Sequence, residues 1–149
     1  MSYATGEEYL LKRVRACRGF TTANTSQADW KVLNSGRSNC YAILKPMGGT
    51  SPVWIGNSTY TVTWTTAIEV WQRYKDDSTT AKALYTLVGY LLAILAYPNL
   101  GDATEAIIDS NIGEIGPVEE MMTESGGPGW LRWTIPVVWL EQTTVTFEE

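Results

Sequence analysis

The run of residues 60–74, YTVTWTTAIEVWQRY, constrains the fold more than any other part of this chain. Apolar and polar side chains alternate along it, with Tyr60, Val62, Trp64, Ile68 and Val70 on one face and Thr61, Thr63, Thr65 and Glu69 on the other. Because successive side chains of a β-strand point to opposite faces, this period of two predicts a long strand buried on one side. A kink near residues 65–67 fits the pattern. The apolar face of such a strand must be covered by another layer.

Two predicted helices are available to form that layer. The first is predicted over about residues 6–18, with Thr5 as its N-cap and Glu8 completing a capping box. Its apolar positions recur at helical spacing, and its basic residues face outward. The second is predicted over about residues 79–97, with a broad apolar face formed by Leu84, Leu87, Val88, Leu91, Leu92 and Leu95.

The exit of the second helix is predicted to be a turn that defines the fold. Pro98 ends the helix, because a proline pushes the residue before it out of the helical region. Tyr97 and Leu100 are expected to fold the exit back onto the sheet. Gly89 is expected to permit the close approach of a neighbour. The helix carries Lys82 and is shorter than the roughly 20 apolar residues that a membrane span needs, so we predict no membrane segment.

The segment before the long strand is predicted to hold one short strand and a loop. Residues 40–45, CYAILK, suit a strand that ends at Pro46. Residues 46–59 are rich in glycine and proline, which is typical of a loop. This loop carries Trp54 and Ile55, which are unusually apolar for such a position.

The segment after the second helix completes the predicted sheet. Weak patterns favour strands near residues 106–109 and 112–122, and residues 130–142 form a strongly β-prone run. Pro136 inside that run cannot donate to a ladder, which predicts an edge or a bulge there. The chain therefore predicts an α+β fold, a single domain over residues 1–149 with a mostly antiparallel sheet covered on one face by two helices.

The composition excludes several kinds of chemistry. The chain has no histidine and two cysteines, Cys17 and Cys40, which are far apart in the sequence. Histidine-dependent triads and imidazole metal sites are therefore excluded, and a zinc site is not expected. The net charge is -5, and no basic patch suits nucleic-acid binding. We predict no catalytic residue, no metal and no cofactor, and a cytosolic setting with reduced thiols.

The seven tryptophans keep a second class of function open. Trp54 in the loop, Trp71 on the polar face of the long strand and Trp139 near the end of the last strand are candidates for exposed positions, with the core as the alternative for each. If exposed, they would suit a carbohydrate-binding module. Glycoside hydrolysis would need two carboxylates about 5–9 Å apart, for which Glu69 and Glu141 are the candidates.

Three stretches, taken in order, resemble a known family. They are YTVTWTTAIEVWQRY (60–74), ALYTLVGYLLAILAYPNLGD (83–102) and GWLRWTIPVVWLEQ (129–142). A long strand precedes a helix that closes with a Tyr-Pro-x-Leu turn, and the last strand carries tryptophans, Pro-Val and Glu in that order. This set resembles the tail terminator, or tail-completion, proteins of long-tailed bacteriophages and the related minor tail and neck proteins.

The resemblance implies a structural virion protein rather than an enzyme. Such proteins form a ring, typically of six subunits, that caps the tail tube, ends its polymerisation and joins the tail to the head. The implied partners are further copies of this chain, the tail tube protein and a head–neck connector or stopper protein, with DNA only passing through an acidic channel. The implied location is the tail or neck of the virion, after synthesis in the host cytoplasm. A head–tail connector or stopper, with as many as twelve copies, is the alternative in the same class.

A closed ring needs two different patches on each subunit, because its interfaces are heterologous. The candidates for subunit or tube contacts are Trp54, Ile55, Trp71, Tyr74 and Trp139. The polar face of the long strand together with the loop 46–59 is expected to supply one patch, and the first helix the other.

Overall fold

A computed structural model describes residues 3–17, 24–25, 40–73, 77–95, 107–122 and 128–145. Within these ranges the helices are α1 (Tyr3–Arg15) and α2 (Asp77–Leu95). The strands are β1 (Asn24–Thr25), β2 (Cys40–Gly49), β3 (Val53–Trp54), β4 (Thr59–Arg73), β5 (Ile107–Ile112), β6 (Glu119–Met122) and β7 (Pro128–Thr144). They form one sheet in the order β1-β2-β4-β7-β5, in which β3 also pairs with β4, and β6 with β7.

The pairing confirms the predicted α+β fold with a mostly antiparallel sheet. β1 and β2 pair in parallel, and each of the other pairs is antiparallel. The long strand predicted over residues 60–74 is β4, which lies between β2 and β7 at the centre of the sheet. β4 pairs with β7 without a register shift, so the kink expected near residues 65–67 is absent from this ladder.

Both helices pack on one face of the sheet, as predicted. The core between the helices and the sheet is formed by Leu10, Val14, Cys17, Ala42, Leu44, Ile68, Val70, Leu84, Val88, Leu91, Leu95, Leu131, Ile135, Val137 and Trp139. Ile68 lies opposite Leu44 on one side and Ile135 on the other, so the three central strands point these side chains to the same face. Burying this apolar surface is the main driving force for the layered arrangement.

The helix bounds differ from the prediction at their starts. α1 begins at Tyr3, so Thr5 lies inside the helix and is not its N-cap. α2 begins at Asp77 and its described part ends at Leu95. The turn of Tyr97, Pro98 and Leu100 lies outside the described residues, and its role stays a prediction. Neither helix of the described part combines the length and apolar character needed to cross a membrane.

Two prolines, Pro46 and Pro136, lie inside strands. A strand can hold them because the nitrogen of each points away from β4. β2 continues through Pro46 to Gly49, which corrects the strand end predicted at that proline. The backbone of Thr63 exchanges hydrogen bonds with Thr50, so odd-numbered residues of β4 point their polar groups toward β2. Pro46 pairs with the even-numbered Thr66, so its nitrogen points away from β4, toward the side on which the described register of β1 stops at Leu44.

Pro136 follows the same rule on the other side of β4. It pairs with Ala67, whose polar groups point toward β2, so the nitrogen of Pro136 faces away from β4. On that side its carbonyl accepts a hydrogen bond from the Gly113 nitrogen at 2.8 Å. The registers of β5 and β6 stop on either side of this position, at Val137 and Arg132. The proline thus occupies a gap between β5 and β6, where that side of β7 has no described ladder partner, and this fits the edge position that the sequence suggested.

Candidate functional site

The large apolar side chains that the described part of the chain leaves exposed fall in two places. Val53, Trp54 and Ile55 lie at the far end of the hairpin that β3 forms with β4, and Met47 lies behind them, opposite Thr65 and Thr66. Tyr85 and Tyr90 lie on α2 and are 53% and 45% exposed, and the Tyr85 ring also contacts the Trp133 ring of the sheet edge-on, with 5.6 Å between ring centroids. Apolar patches that a monomer leaves in water mark contacts with other molecules more often than they serve the fold. These two places are therefore the candidate sites.

The first place is the hairpin tip, which we define as residues 53–60. Trp54 is 54% exposed and Ile55 is 58% exposed, as predicted for both residues. The Trp54 ring contacts the Tyr60 ring edge-on, with 5.3 Å between ring centroids. The nitrogen of Ile55 donates a hydrogen bond to the Thr59 carbonyl at 2.9 Å. The predicted loop is thus a short strand and a tight turn, which hold these side chains in fixed positions.

The tip is apolar on both of its sides and carries no charge. Trp54 shares one side with Tyr60, whereas Val53 and Ile55 point to the other side, because neighbours along a strand alternate. Residues 46–59 contain no charged side chain. Behind the tip, Met47 lies in a register shift of β2, beside Gly48, whose φ of 103° is a backbone conformation that favours glycine. A two-sided apolar end suits insertion into a partner better than a flat contact.

Trp139 is buried in the core, which corrects its predicted role as a contact with a subunit or the tube. It is 1% exposed and lies under α1, where a Cβ at Gly6 would overlap its ring. Its indole nitrogen donates a hydrogen bond to the Thr66 hydroxyl at 3.1 Å, and its ring lies 6.4 Å from the ring of Trp64. Gly6 belongs to the predicted capping-box stretch, but its structural use is this close approach to the indole.

Trp71 is also buried, although it lies on the sheet face predicted to be polar. It is 6% exposed and packs with Tyr41 and Ile43 in a second cluster, on the face opposite the helices. Its indole nitrogen donates to Glu69 at 3.2 Å. A side chain buried within its own chain cannot contact a partner, so the interface prediction for Trp71 is wrong. Of the three tryptophans proposed as carbohydrate platforms, Trp54 alone is exposed, and Tyr74 lies outside the described residues.

Glu69 and Glu141 lie too far apart to form a hydrolytic pair. Glu69 pairs with Thr134 in the ladder and Glu141 with Val62, so they lie seven residues apart along β4, or about 23 Å at ~3.3 Å per residue. They also point to opposite faces of the sheet. Two carboxylates that share one glycosidic bond must lie within about 5–9.5 Å. The proposed acid pair is therefore contradicted.

Each of these two carboxylates instead holds neighbouring strands together. Glu69 forms ion pairs with Lys45 at 3.1 Å and with Arg132 at 3.5 Å, and Arg132 also pairs with Glu119 at 2.8 Å. Glu141 accepts a hydrogen bond from the indole nitrogen of Trp64 at 2.8 Å. Buried carboxylates need such partners because leaving water is unfavourable for an unpaired charge. Both residues therefore have a structural use.

The second candidate place is the α2 outer face, which we define as Tyr85, Thr86, Gly89, Tyr90 and Ala93. Lys82 is exposed one turn before Tyr85 and Thr86 on the same side of the helix, and no charged residue occurs in α2 after it, so the exposed face is uncharged from Tyr85 onward. Nothing lies within 4 Å of a Cβ built at Gly89, so the neighbour predicted to approach this glycine is not found among the described residues. This face was not predicted from the sequence, although the absence of charge from residue 83 to the end of the helix was a readable signal.

The outer face of α1 differs, because its exposed side chains Glu8, Lys12 and Arg15 are charged. Covering these charges with an apolar partner would remove them from water without compensation. The prediction that the first helix supplies an interface patch is therefore a poor match to the apolar hairpin tip.

A further concavity is formed by described residues of the sheet. An open depression of about 220 Å³ is lined by Thr63, Asn111, Val138, Trp139 and Leu140, none of which is acidic, basic or a thiol. No group of three or more metal-ligating side chains occurs in the described part. Comparison with protein-family models and with curated proteins gives no match for this chain. The two exposed surfaces are therefore the features of the described residues that bear on function.

Proposed function

We propose that this chain is a structural virion protein of the tail-terminator type. In this role it forms a ring of six subunits that caps the tail tube, ends tube polymerisation and joins the tail to the head. The proposal combines the resemblance of residues 60–102 and 130–141 with one structural observation, the exposed and uncharged hairpin tip. A connector or stopper of the neck is the variant in the same class.

The hairpin tip supports an assembly role through its size and its rigidity. Side chains as large as those of Val53, Trp54 and Ile55, each more than half exposed, present roughly a few hundred Å² of apolar surface, which is the range of functional patches on monomers. The tip is anchored from two sides, because Val145 of the segment after β7 donates a hydrogen bond to the Ser58 carbonyl at 2.6 Å. A rigid apolar projection loses little conformational entropy when it binds.

The charge of the chain fits a ring around passing DNA. Six copies at -5 each carry about -30, so the subunits repel one another unless apolar or paired contacts hold them together. The uncharged tip is such a contact. An acidic channel does not bind phosphates, because phosphate binding needs lysine and arginine. DNA could then pass without being retained.

Sedimentation analysis and negative-stain images of the purified chain test the proposal, with and without isolated tail tubes. We expect rings of six, and tubes that stop growing when the chain is added. Rings of twelve that leave tube growth unchanged would favour the connector variant. A strict monomer at high protein concentration and in the presence of tubes would contradict both variants.

A further inference from the structure

The exposed apolar residues of the described surface lie in two separate places, and a head-to-tail ring needs two different patches on each subunit. We infer that the α2 outer face of one subunit receives the hairpin tip of the neighbouring subunit. This inference rests on the proposed ring function. In each contact the α2 outer face, and not the first helix, receives the hairpin tip.

The charge pattern of the two surfaces supports this pairing. The tip and the α2 outer face are both uncharged, so their contact buries no ionised group. The charged outer side of α1 would have to give up its hydration to cover the same tip. In a chain with net charge -5, a contact between two uncharged surfaces is also the one least opposed by repulsion between copies.

The shape of the α2 outer face also supports this pairing. Gly89 lies one turn after Tyr85, whose ring also contacts Trp133, and next to Tyr90 in the chain, and the space where its side chain would be is open among the described residues. An exposed glycine inside a helix destabilises the helix relative to alanine, so its presence calls for a use outside the helix itself. The notch lets an incoming apolar side chain reach the helix backbone beside these two tyrosines. Tyrosines supply such contact surfaces with little loss of side-chain freedom.

The area of the hairpin tip sets the expected strength of the contact between two subunits. A stable pair of proteins buries about 800 Å² on each partner, and the tip alone presents only a few hundred Å². One contact between tip and helix therefore holds two subunits weakly. Closure of the ring, or docking on the tail tube, adds the contacts that make the assembly stable. Assembly of the isolated chain should depend strongly on protein concentration.

Cysteine cross-linking tests the contact directly in the full chain. We would combine Ile55→Cys with Gly89→Cys and treat the assembled protein with a short bis-maleimide. The matched control combines Ile55→Cys with Lys12→Cys, which moves the second thiol to the charged face of α1. Background from the native thiols is low, because Cys17 is buried and burial raises the pKa of Cys40 to about 12.

A ladder of cross-linked species up to the ring size, given by the first pair and not by the control, is the expected result. Rings visible by negative stain without this ladder would overturn the inference and leave the ring function intact. A chain that stays monomeric under all conditions would overturn both. Dimers from Ile55→Cys alone would indicate a tip-to-tip contact and would also overturn the inference.

A mixing experiment guards against variants that fail to assemble for other reasons. Trp54→Glu and Gly89→Glu each remove one of the two surfaces, so each variant alone should be monomeric. In an equimolar mixture, the intact tip of one variant can still meet the intact α2 face of the other. We expect heterodimers in the mixture and at least a tenfold weaker association in either variant alone. A mixture that stays monomeric, at concentrations where the wild-type chain assembles, would contradict the contact.

Discussion

The two halves of β4 differ in burial although one alternating pattern runs through both. Residues 66–72, the core half, are all buried, whereas residues 59–65, the tip half, are mostly half-buried. Helices cover one face of the core half, and Tyr41, Ile43 and Trp71 form a cluster on its other face. The tip half extends beyond these layers to the exposed hairpin tip. One strand therefore supports the fold with one half and presents a surface with the other.

This difference is tested most strongly by Trp71→Ala in the core half. The substitution removes a buried indole from the cluster with Tyr41 and Ile43 and leaves a cavity. We expect the free energy of unfolding to fall by about 3–5 kcal/mol, a large share of the stability of a typical domain. Urea denaturation followed by circular dichroism measures the change. A loss below about 1 kcal/mol would mean that the second cluster contributes little to the core half.

Glu69→Ala tests the polar part of the core half. Removing the carboxylate leaves Lys45 and Arg132 without this partner and takes an acceptor from the Trp71 indole. Because all these groups are at least partly buried, we expect a loss of about 2–3 kcal/mol. Glu69→Gln is the matched control, which keeps the size and one acceptor but not the charge. Similar losses in both variants would assign the effect to the charge, and a smaller loss in Glu69→Gln to the hydrogen bond and packing.

The sequence pattern predicts the core half well on one face only. Ile68 and Val70 follow the period of two, and their burial under helices follows from it. Trp71 falls on the face that alternation marks as polar. Its burial depends on Tyr41 and Ile43, which reach the same face through the register of β2 with β4. That register is a long-range property, and local periodicity does not contain it.

Strand ends at prolines are also hard to predict from local sequence, as Pro46 and Pro136 show. Composition marks Pro46 as a strand end and Pro136 as an edge or a bulge, since neither can donate a hydrogen bond. Which way each nitrogen points depends on the pairing with β4, and in both cases it points away from that strand. Exposure of Trp54 and Ile55 was predictable, because apolar residues in a segment rich in glycine and proline lack neighbours to bury them.

Trp54→Ala makes the same substitution as Trp71→Ala, but at the hairpin tip. Its contact with Tyr60 is the main intrachain interaction at stake, so we expect a loss of about 1 kcal/mol or less. Self-association should weaken far more, by roughly 30-fold, as for an aromatic residue that contributes about 2 kcal/mol at the centre of an interface. Sedimentation over a range of concentrations measures this, with Lys12→Ala as the control. Unchanged association would show that the tip is not part of the interface.

Gly89→Ala should have the smallest effect on stability, with the opposite sign. Among the described residues packed around α2 nothing lies within 4 Å of the added methyl group, so the helix gains about 0.5–1 kcal/mol from the higher helix propensity of alanine. If the notch on α2 receives the tip of a neighbour, the same methyl group obstructs the contact, and association should weaken while thermal stability rises. Lys12→Ala is the control, since Lys12 lies on the charged outer side of α1 and not on α2. A Gly89→Ala variant that is more stable and assembles as well as the wild-type chain would show that the glycine does not serve this contact. In that case the tip half of β4 would need a different receiving surface, and the tip itself would remain the stronger candidate.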